Sequence, residues 1–156
     1  MNQKQKLVVY SLLLSILICA GMILESFREE KPAASGKDGN SNDVYLLAQV
    51  VHGEARGEPY IGKVAVAAVI LNRVRSPKFP NTIAGVVYQP HAFTCVTDGQ
   101  INLTPDSESI RAARDAMNGW DPSYGAIYYF NPATSTSAWI WSRATHITIG
   151  KHRFAT

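Results

Sequence analysis

An uncharged run of eighteen residues, Leu7 to Leu24, constrains this chain more than any other feature of its sequence. As a helix the run would be about 27 Å long, close to the hydrocarbon thickness of a bilayer. Lysines precede it, and a charged cluster follows it from Glu25 to Lys31. The run predicts a transmembrane or signal helix, and residues 1–30 are therefore assigned to an N-terminal membrane anchor or signal segment.

This segment fits three roles, which the sequence leaves open. An uncleaved anchor suits the length of the run, whereas a cleaved signal peptide usually has a shorter apolar core. Lipid attachment at Cys19 would normally require a small preceding residue, but Ile18 is large and branched. In all three cases Lys4 and Lys6 favour a cytoplasmic N-terminus. We expect the rest of the chain to lie outside the cytoplasm, membrane-anchored or secreted after cleavage.

A polar spacer follows, with the sequence PAASGKDGNSN at 32–42. It is rich in Gly, Ser and Asn and has no apolar periodicity, which predicts a flexible linker over residues 31–42. The folded domain is then residues 43–156, long enough for one modest hydrophobic core. The composition agrees, because a chain with 46% hydrophobic and 17% charged residues is not typical of a disordered protein.

Charge and cysteine content narrow the choice of partners. Residues 43–156 carry ten basic and eight acidic side chains without a stripe of Lys or Arg, so we expect no nucleic-acid partner. Cys95 is the one cysteine of this domain. It is predicted to be a small buried apolar residue, because no bridge and no sulfur-only metal site can be built from it.

Apolar periodicity predicts helices through most of the domain. One helix is expected from Asp43 to about Glu54, and a second, apolar almost all round and hence central, from Tyr60 to Val74. A short helical turn is expected at 82–87. A further helix is capped by Thr104, with Pro105 in its first turn, and it ends before Gly119.

Beyond Gly119 the pattern changes to short aromatic or β-branched runs at 126–130, 138–141 and 147–149. These runs predict a small antiparallel sheet. The expected fold class is α+β, mainly helical, with that sheet appended and the N-terminal transmembrane or signal helix in front.

Glu54 is the most interesting polar residue, because it lies at the edge of the apolar face of the first helix. A glutamic acid that stays protonated there can donate a proton to a leaving oxygen. The alternative is a surface carboxylate paired with Arg56 or Arg73. His52 and Glu54 stand two residues apart, which does not match the spacing of a helical zinc site, so we predict no metal. A zinc site assembled from distant histidines remains open.

Aromatic residues are concentrated between Trp120 and Trp141, interleaved with Asn, Ser and Thr. Aromatic faces beside amides and hydroxyls suit sugar rings, which present flat C–H patches and a rim of hydroxyl groups. Packing of a small sheet would use aromatic residues equally well. Glycan binding is therefore one of two interpretations of this region.

Six segments in order resemble the catalytic domain of the spore cortex-lytic and cell wall hydrolase family typified by SleB and CwlJ. They are VHGEARGEP at 51–59, GKVAVAAVILNRVRSPKFPNTI at 62–83, AFTCVTDGQIN at 92–102, AARDAMNGWDP at 112–122, YYFNP at 128–132, and Trp139 followed by IGKHRFA at 149–155. The resemblance implies a lysozyme-like fold, similar to lytic transglycosylases and resuscitation-promoting factors, and an enzyme that cleaves peptidoglycan without a cofactor.

The family's catalytic glutamate is the first in its E-A-R-G-E motif, which the resemblance places at Glu54, with Glu58 as a second candidate acid. Four residues in the matched segments are expected to bind substrate. Gln100, Tyr129 and Asn131 would hydrogen-bond acetamido and hydroxyl groups, and Trp139 would stack on a sugar.

We expect a lytic transglycosylase that cuts the bond between N-acetylmuramic acid and N-acetylglucosamine in cell wall or spore cortex glycan. Direct hydrolysis usually needs two carboxyl groups, and no second acid has an obvious partner position beside Glu54. The expected partners are peptidoglycan strands and, through residues 7–24, the membrane. The alternatives are a zinc-dependent amidase and a non-catalytic, membrane-tethered glycan-binding module.

Overall fold

The computed structural model of this protein describes residues 37–156. The predicted anchor or signal segment, including the membrane contact at residues 7–24, lies outside the described residues. Within residues 37–156, no helix combines the length and the apolar character needed to cross a membrane. The division of the chain into segments 1–30, 31–42 and 43–156 stays a prediction.

The described part contains six α-helices, one 3-10 turn and three strands. In chain order they are α1 (Lys37–Ala55), α2 (Tyr60–Arg75), α3 (Ile83–Val87), α4 (Thr94–Thr97), the 3-10 turn (Gln100–Asn102), α5 (Ser107–Met117), β1 (Tyr128–Phe130), α6 (Ala138–Trp141), β2 (Thr145–Ile149) and β3 (His152–Ala155).

Helix α2 is the central element, as its nearly continuous apolar sequence predicts. Every residue from Gly62 to Leu71 is buried. Each buried valine or isoleucine contributes about 1.5–3 kcal/mol relative to an exposed one. The two buried cations of α2 both have polar partners. Lys63 pairs with Glu108 of α5, and Arg73 Nε donates to the carbonyl oxygen of Ile127 at 2.7 Å.

Helix α1 packs against α2 and α5 through Leu47, Val50 and Val51, which are fully buried. It begins at Lys37 rather than at the predicted Asp43, so residues 37–42 of the predicted flexible linker are helical. The polar composition of this stretch argued against a helix. However, extending a helix that is already nucleated and packed costs little, because each added residue gains a backbone hydrogen bond.

Helix α5 also starts at a different residue from the one predicted. Its N-cap is Asp106, whose Oδ1 accepts the backbone N–H of Ser109 at 2.7 Å, and not Thr104. The carboxylate of Asp106 satisfies a donor that the first turn of the helix leaves unpaired. The C-terminal end is as predicted, with Gly119 at φ +101° just after the C-cap Asn118.

The three strands form an antiparallel sheet in the order β1-β3-β2. The predicted strand at 138–141 is wrong: these residues form helix α6 instead. The aromatic residues of α6 suggested a strand, but one helical turn lets Trp139 and Trp141 pack on Tyr128 and Phe130 of β1. Strand β3 was not predicted. The mainly helical α+β architecture with a small antiparallel sheet is confirmed.

Candidate active site

Glu54 lies in the last turn of α1 and is half-buried. Its Oε1 accepts the backbone N–H of Cys95 in α4 at 2.8 Å, and its Oε2 accepts the hydroxyl of Tyr129 in β1 at 3.3 Å. Three elements that are distant in sequence therefore meet at one carboxyl group. The alternative surface pairing of Glu54 is not observed, since no salt bridge joins Glu54 to Arg56 or Arg73.

Close packing of α4 on Gly53 of α1 brings the backbone N–H of Cys95 to Glu54. A Cβ added to Gly53 would lie 2.4 Å from the Cβ of Cys95, so α4 can lie this close only because Gly53 has no side chain. The Cys95 thiol is buried. Burial, followed by the charge of Glu54, raises its pKa to about 12. The thiol therefore stays neutral, and Cys95 is the small buried residue that the sequence predicted.

Tyr129 is a dedicated hydrogen-bond donor to Glu54. Burial and the nearby charge of Glu54 hold the pKa of its hydroxyl well above the usual range, and the cation of Arg73 opposes this only in part. The ring packs edge-on against His152 and lies beside Phe154, with centroid distances of 5.1 and 6.0 Å. Tyr129 thus remains protonated, and its ring is fixed by β3.

Gln100 lies beside the Glu54 end of α1. Its Cβ is 3.7 Å from the point that a Cβ on Gly53 would occupy. Both ends of its amide are engaged, because Nε2 donates to Asp98 at 2.7 Å and Oε1 accepts from Arg56 at 3.4 Å. The structure thus brings Gln100 and Tyr129 next to the predicted acid.

Asn131 and Trp139 have no contact with Glu54. Asn131 Oδ1 accepts the backbone N–H of Ala133 at 2.9 Å and so organises the turn after β1. Trp139 is half exposed and packs edge-on against Tyr128, with ring centroids 5.0 Å apart. Substrate binding by Asn131 and Trp139 stays a prediction.

Glu58, the second candidate acid, is bound to the turn between β2 and β3. Its Oε2 accepts the backbone N–H of Lys151 at 2.9 Å. Gly150 has φ +57°, and a Cβ there would lie 2.0 Å from the same oxygen. This arrangement gives Glu58 a structural role in holding the hairpin against the start of α2.

Three aspartates, Asp98, Asp106 and Asp121, are also accounted for structurally, because hydrogen bonds hold the pKa of each below the usual value. Backbone and side-chain donors of Gln100 lower that of Asp98, and the backbone N–H of Ser109 lowers that of Asp106. Burial would raise the pKa of Asp121, but hydrogen bonds from Ser123, Asn72 and Gly125 outweigh it.

Neither a cluster of metal-binding side chains nor either of two surface grooves coincides with the surroundings of Glu54 in the described part of the chain. Among residues 37–156, no three His, Cys, Asp or Glu side chains are grouped closely enough to hold a metal ion. Two open grooves of about 480 and 440 Å³ lie elsewhere, against Met117 of α5 and the residues around it. Neither groove includes Glu54 or the predicted substrate-binding residues.

A sequence model of the family described as Cell Wall Hydrolase matches residues 57–155, more than half of the chain. The chain belongs to the cell wall hydrolase family. The match begins at Gly57, so it includes Glu58 but not Glu54.

The chain is also similar to individual proteins whose names match this family. The spore cortex-lytic enzyme of Halalkalibacterium halodurans is 63% identical over 115 residues, which are 74% of this chain and 35% of that protein. The catalytic domain of Bacillus cereus SleB is 59% identical with a TM-score of 0.72, covering 74% of this chain and 91% of that one. The catalytic domain of SleB from Bacillus anthracis, named a germination-specific lytic transglycosylase, is 59% identical with a TM-score of 0.71, covering 74% and 94%. The chain spans less than half the length of the curated spore cortex-lytic enzymes it matches.

Sequence reasoning missed His152 in this cell wall hydrolase domain. Burial lowers its pKa, against the opposing charges of Glu58 and Glu54, and its Nδ1 is buried without a hydrogen-bond partner in the described part of the chain. The signal that could have identified it is its spacing from Phe154. His152 and Phe154 are two residues apart on a strand, so their side chains face the same side of the sheet, which is the side of Tyr129.

Proposed function

We propose that this cell wall hydrolase cleaves peptidoglycan as a lytic transglycosylase, on a lysozyme-like fold, with Glu54 as its catalytic acid and base. The observation that carries the proposal is the fixed geometry of the Glu54 carboxyl group. It is half-buried and held by an N–H of Cys95 on one oxygen and the hydroxyl of Tyr129 on the other. Such positioning is what proton transfer to a bound substrate requires.

The reaction is written as two proton transfers through one carboxyl group. Protonated Glu54 donates its proton to the glycosidic oxygen, and the bond from that oxygen to C1 of N-acetylmuramic acid breaks. The resulting carboxylate then accepts the proton of the C6 hydroxyl of the same sugar, whose oxygen forms a bond to C1. Glu54 is regenerated protonated, and the products are a free 4-hydroxyl and a 1,6-anhydro sugar. No water is consumed.

The state of the other carboxylates supports a mechanism with a single acid. Glycoside hydrolysis with two carboxyl groups needs the second one at about 5–9.5 Å, free to act as a nucleophile or to activate water. Glu58 is bound to the hairpin turn, and Asp98 is bound by Gln100. Intramolecular attack by the C6 hydroxyl makes a second carboxylate unnecessary.

The relatives support the substrate. A protein named spore cortex-lytic enzyme is 63% identical to this chain over 115 residues, and one SleB domain is named a lytic transglycosylase. From these names we propose the glycan of cell wall or spore cortex as the substrate. Gln100, Asn131 and Trp139 remain the proposed substrate contacts, whereas Tyr129, predicted as a fourth, is proposed to act on Glu54 instead.

The decisive experiment is digestion of purified peptidoglycan, from vegetative wall and from spore cortex, by the full-length protein and its Glu54→Gln variant. We expect anhydro-muramyl ends from the unchanged protein. The variant should release them about 10²–10⁴ times more slowly, because loss of a general acid or base typically costs this factor. The products are identified by mass spectrometry.

Glu58→Gln is the matched control, because the new amide oxygen can still accept the N–H of Lys151. We expect it to retain activity within a few fold. Reducing ends would indicate hydrolysis, freed stem peptides an amidase, and intact glycan a binding module. A Glu54→Gln protein with unchanged rates would overturn the role of Glu54.

We also propose that residues 7–24 keep the protein at the cell membrane, with the folded part facing the wall, or direct its export if the segment is cleaved. The length of the uncharged run and the lysines before it support this location. Fractionation of cells, with the N-terminal sequence of the mature protein, tests it. Recovery of the uncleaved protein in the cytoplasmic fraction would contradict it.

A further inference from the structure

The net charge of this protein lies in its C-terminal part. Of 15 basic and 12 acidic residues, three basic and no acidic ones follow Asp121, which leaves twelve of each in residues 1–121. The three are Arg143, Lys151 and Arg153. The sheet and α6 therefore contain no carboxylate side chain of their own. The Glu58 carboxylate lies against the β2–β3 turn beside Lys151, so the two arginines are the cations left to attract anionic groups.

Two of these cations lie on exposed aromatic rings. The guanidinium of Arg143 lies 4.5 Å from the ring centroid of Trp139, and that of Arg153 lies 5.4 Å from the ring centroid of Trp141. Both indoles belong to α6, and 50% of Trp139 and 46% of Trp141 are exposed. We call these four residues the arginine–tryptophan surface.

Neither arginine of this surface is neutralised. Within the described part of the chain, no carboxylate lies within 4 Å of Arg143 or Arg153. The Nε of Arg143 is buried without a hydrogen-bond partner, which leaves the two terminal nitrogens of its guanidinium as the donors for a ligand. By contrast, the buried cations Lys63 and Arg73 are bound by Glu108 and the Ile127 carbonyl. Stacking on an indole holds a guanidinium in place while leaving its in-plane donors available.

The surface lies on the opposite side of β1 from Glu54. Tyr128 and Phe130 pack on Trp139 and Trp141, whereas Tyr129, between them in sequence, donates to Glu54. Successive side chains of a strand point to opposite faces. The surface is therefore separate from the candidate site, although one strand, β1, contributes residues to both.

We propose that the arginine–tryptophan surface is a second binding site, which holds the free carboxylates of the peptide stems carried by the glycan strand. A planar guanidinium matches a carboxylate with two parallel hydrogen bonds. The stems supply such groups on the same polymer that Glu54 is proposed to cleave, so this inference rests on the proposed function for its ligand. It also gives Trp139 a different role, because one face of its ring is covered by Arg143.

The test measures binding rather than cleavage. Full-length Glu54→Gln protein is sedimented with peptidoglycan freed of other anionic wall polymers, and with the same glycan after enzymatic removal of its stems. We expect about tenfold or tighter binding to the stem-bearing material, in line with charge-assisted hydrogen bonds. Adding Arg143→Gln and Arg153→Gln should abolish this difference and leave binding to the bare glycan unchanged.

Arg111→Gln is the matched control, because Arg111 also stacks on an aromatic ring, that of the partly buried Tyr60 at 4.2 Å, but on a different surface. It removes one positive charge, as Arg143→Gln or Arg153→Gln alone does, and unlike these single variants it should keep the full preference for stems. Arg143→Lys with Arg153→Lys keeps the charge but loses the paired donors, and it should weaken stem binding. Melting temperatures confirm that each variant is folded.

Unchanged stem preference in the double glutamine variant would overturn the proposal, as would equal weakening on both glycans. The result is independent of the cleavage assay. If the unmodified protein cuts nothing but binds stems through these arginines, the second site stands and the proposed enzymatic function fails. If it releases anhydro ends without any stem preference, the reverse holds.

Discussion

At the scale of single residues, the hydrogen bonds of Glu54 are divided between backbone and side chain. The N–H of Cys95 can be removed only by proline, which would also disturb α4, whereas the hydroxyl of Tyr129 is removed by a change to Phe. The sequence pointed to both Glu54 and Tyr129, the latter as a substrate contact. That Tyr129 reaches the acid itself depends on residues 75 positions apart coming together, which no local pattern shows.

Tyr129→Phe therefore tests whether this hydroxyl positions the acid. Losing a hydrogen bond to a charged group costs about 1.5–3 kcal/mol, so we expect kcat to fall about 10- to 100-fold with KM little changed. The ring packing with His152 and Phe154 should be kept. A rise in KM with unchanged kcat, measured by release of muropeptides, would instead make Tyr129 a substrate contact.

At the scale of elements, the long helices α1 and α2 were predictable, as were α3, β1 and β2, whereas α4, α6 and β3 were not. The buried face of α1 and the apolar sequence of α2 repeat over several turns, so their periodicity is clear. Helix α6 has only four residues, and its conformation is decided by packing on β1. Strand β3 contains His152 and Arg153, whose charge hides the alternation that places Phe154 in the core.

The contact between α1 and α4 gives the prediction at this scale. Gly53→Ala would place a methyl group 2.4 Å from the Cβ of Cys95, so α4 must move away from Glu54. We expect a loss of about 1–3 kcal/mol in the free energy of unfolding, as for overpacked cores, together with reduced cleavage.

Gly57→Ala is the control for this prediction. No atom lies within 4 Å of a Cβ at Gly57, and its φ is not left-handed. It should be neutral or stabilising by up to about 1 kcal/mol. Equal denaturation curves for the Gly53 variant and the unchanged protein would show that α4 adapts without cost.

At the scale of the whole molecule, the pH dependence of the free energy of unfolding reflects the burial of His152 in the sheet. His152 has a lowered pKa in the folded protein, chiefly because it is buried. Below its usual pKa of about 6.5, the unfolded chain binds a proton that the folded protein resists. The free energy of unfolding should therefore fall as pH decreases from about 6.5, until folded His152 is itself protonated.

His152→Phe keeps an aromatic ring beside Tyr129 and removes this titration. We expect the unchanged protein to lose more stability between pH 7 and pH 5 than the variant does, in urea denaturation series. Asp98, Asp106 and Asp121 affect stability at lower pH. Because their pKa values are lowered, their contribution to the free energy of unfolding is lost only when these carboxylates are protonated. Parallel pH curves for the two proteins would assign the acid sensitivity to other groups.

The position of β3 in the middle of the sheet has a consequence for how this protein is made. The strand that joins β1 to β2 is the element nearest the C-terminus, and it also supports the ring of Tyr129. A ribosome releases α1, with Glu54, long before it releases β3. While the nascent chain is being synthesised, Glu54 therefore lacks its finished surroundings, and the candidate site is assembled only after translation has passed β3.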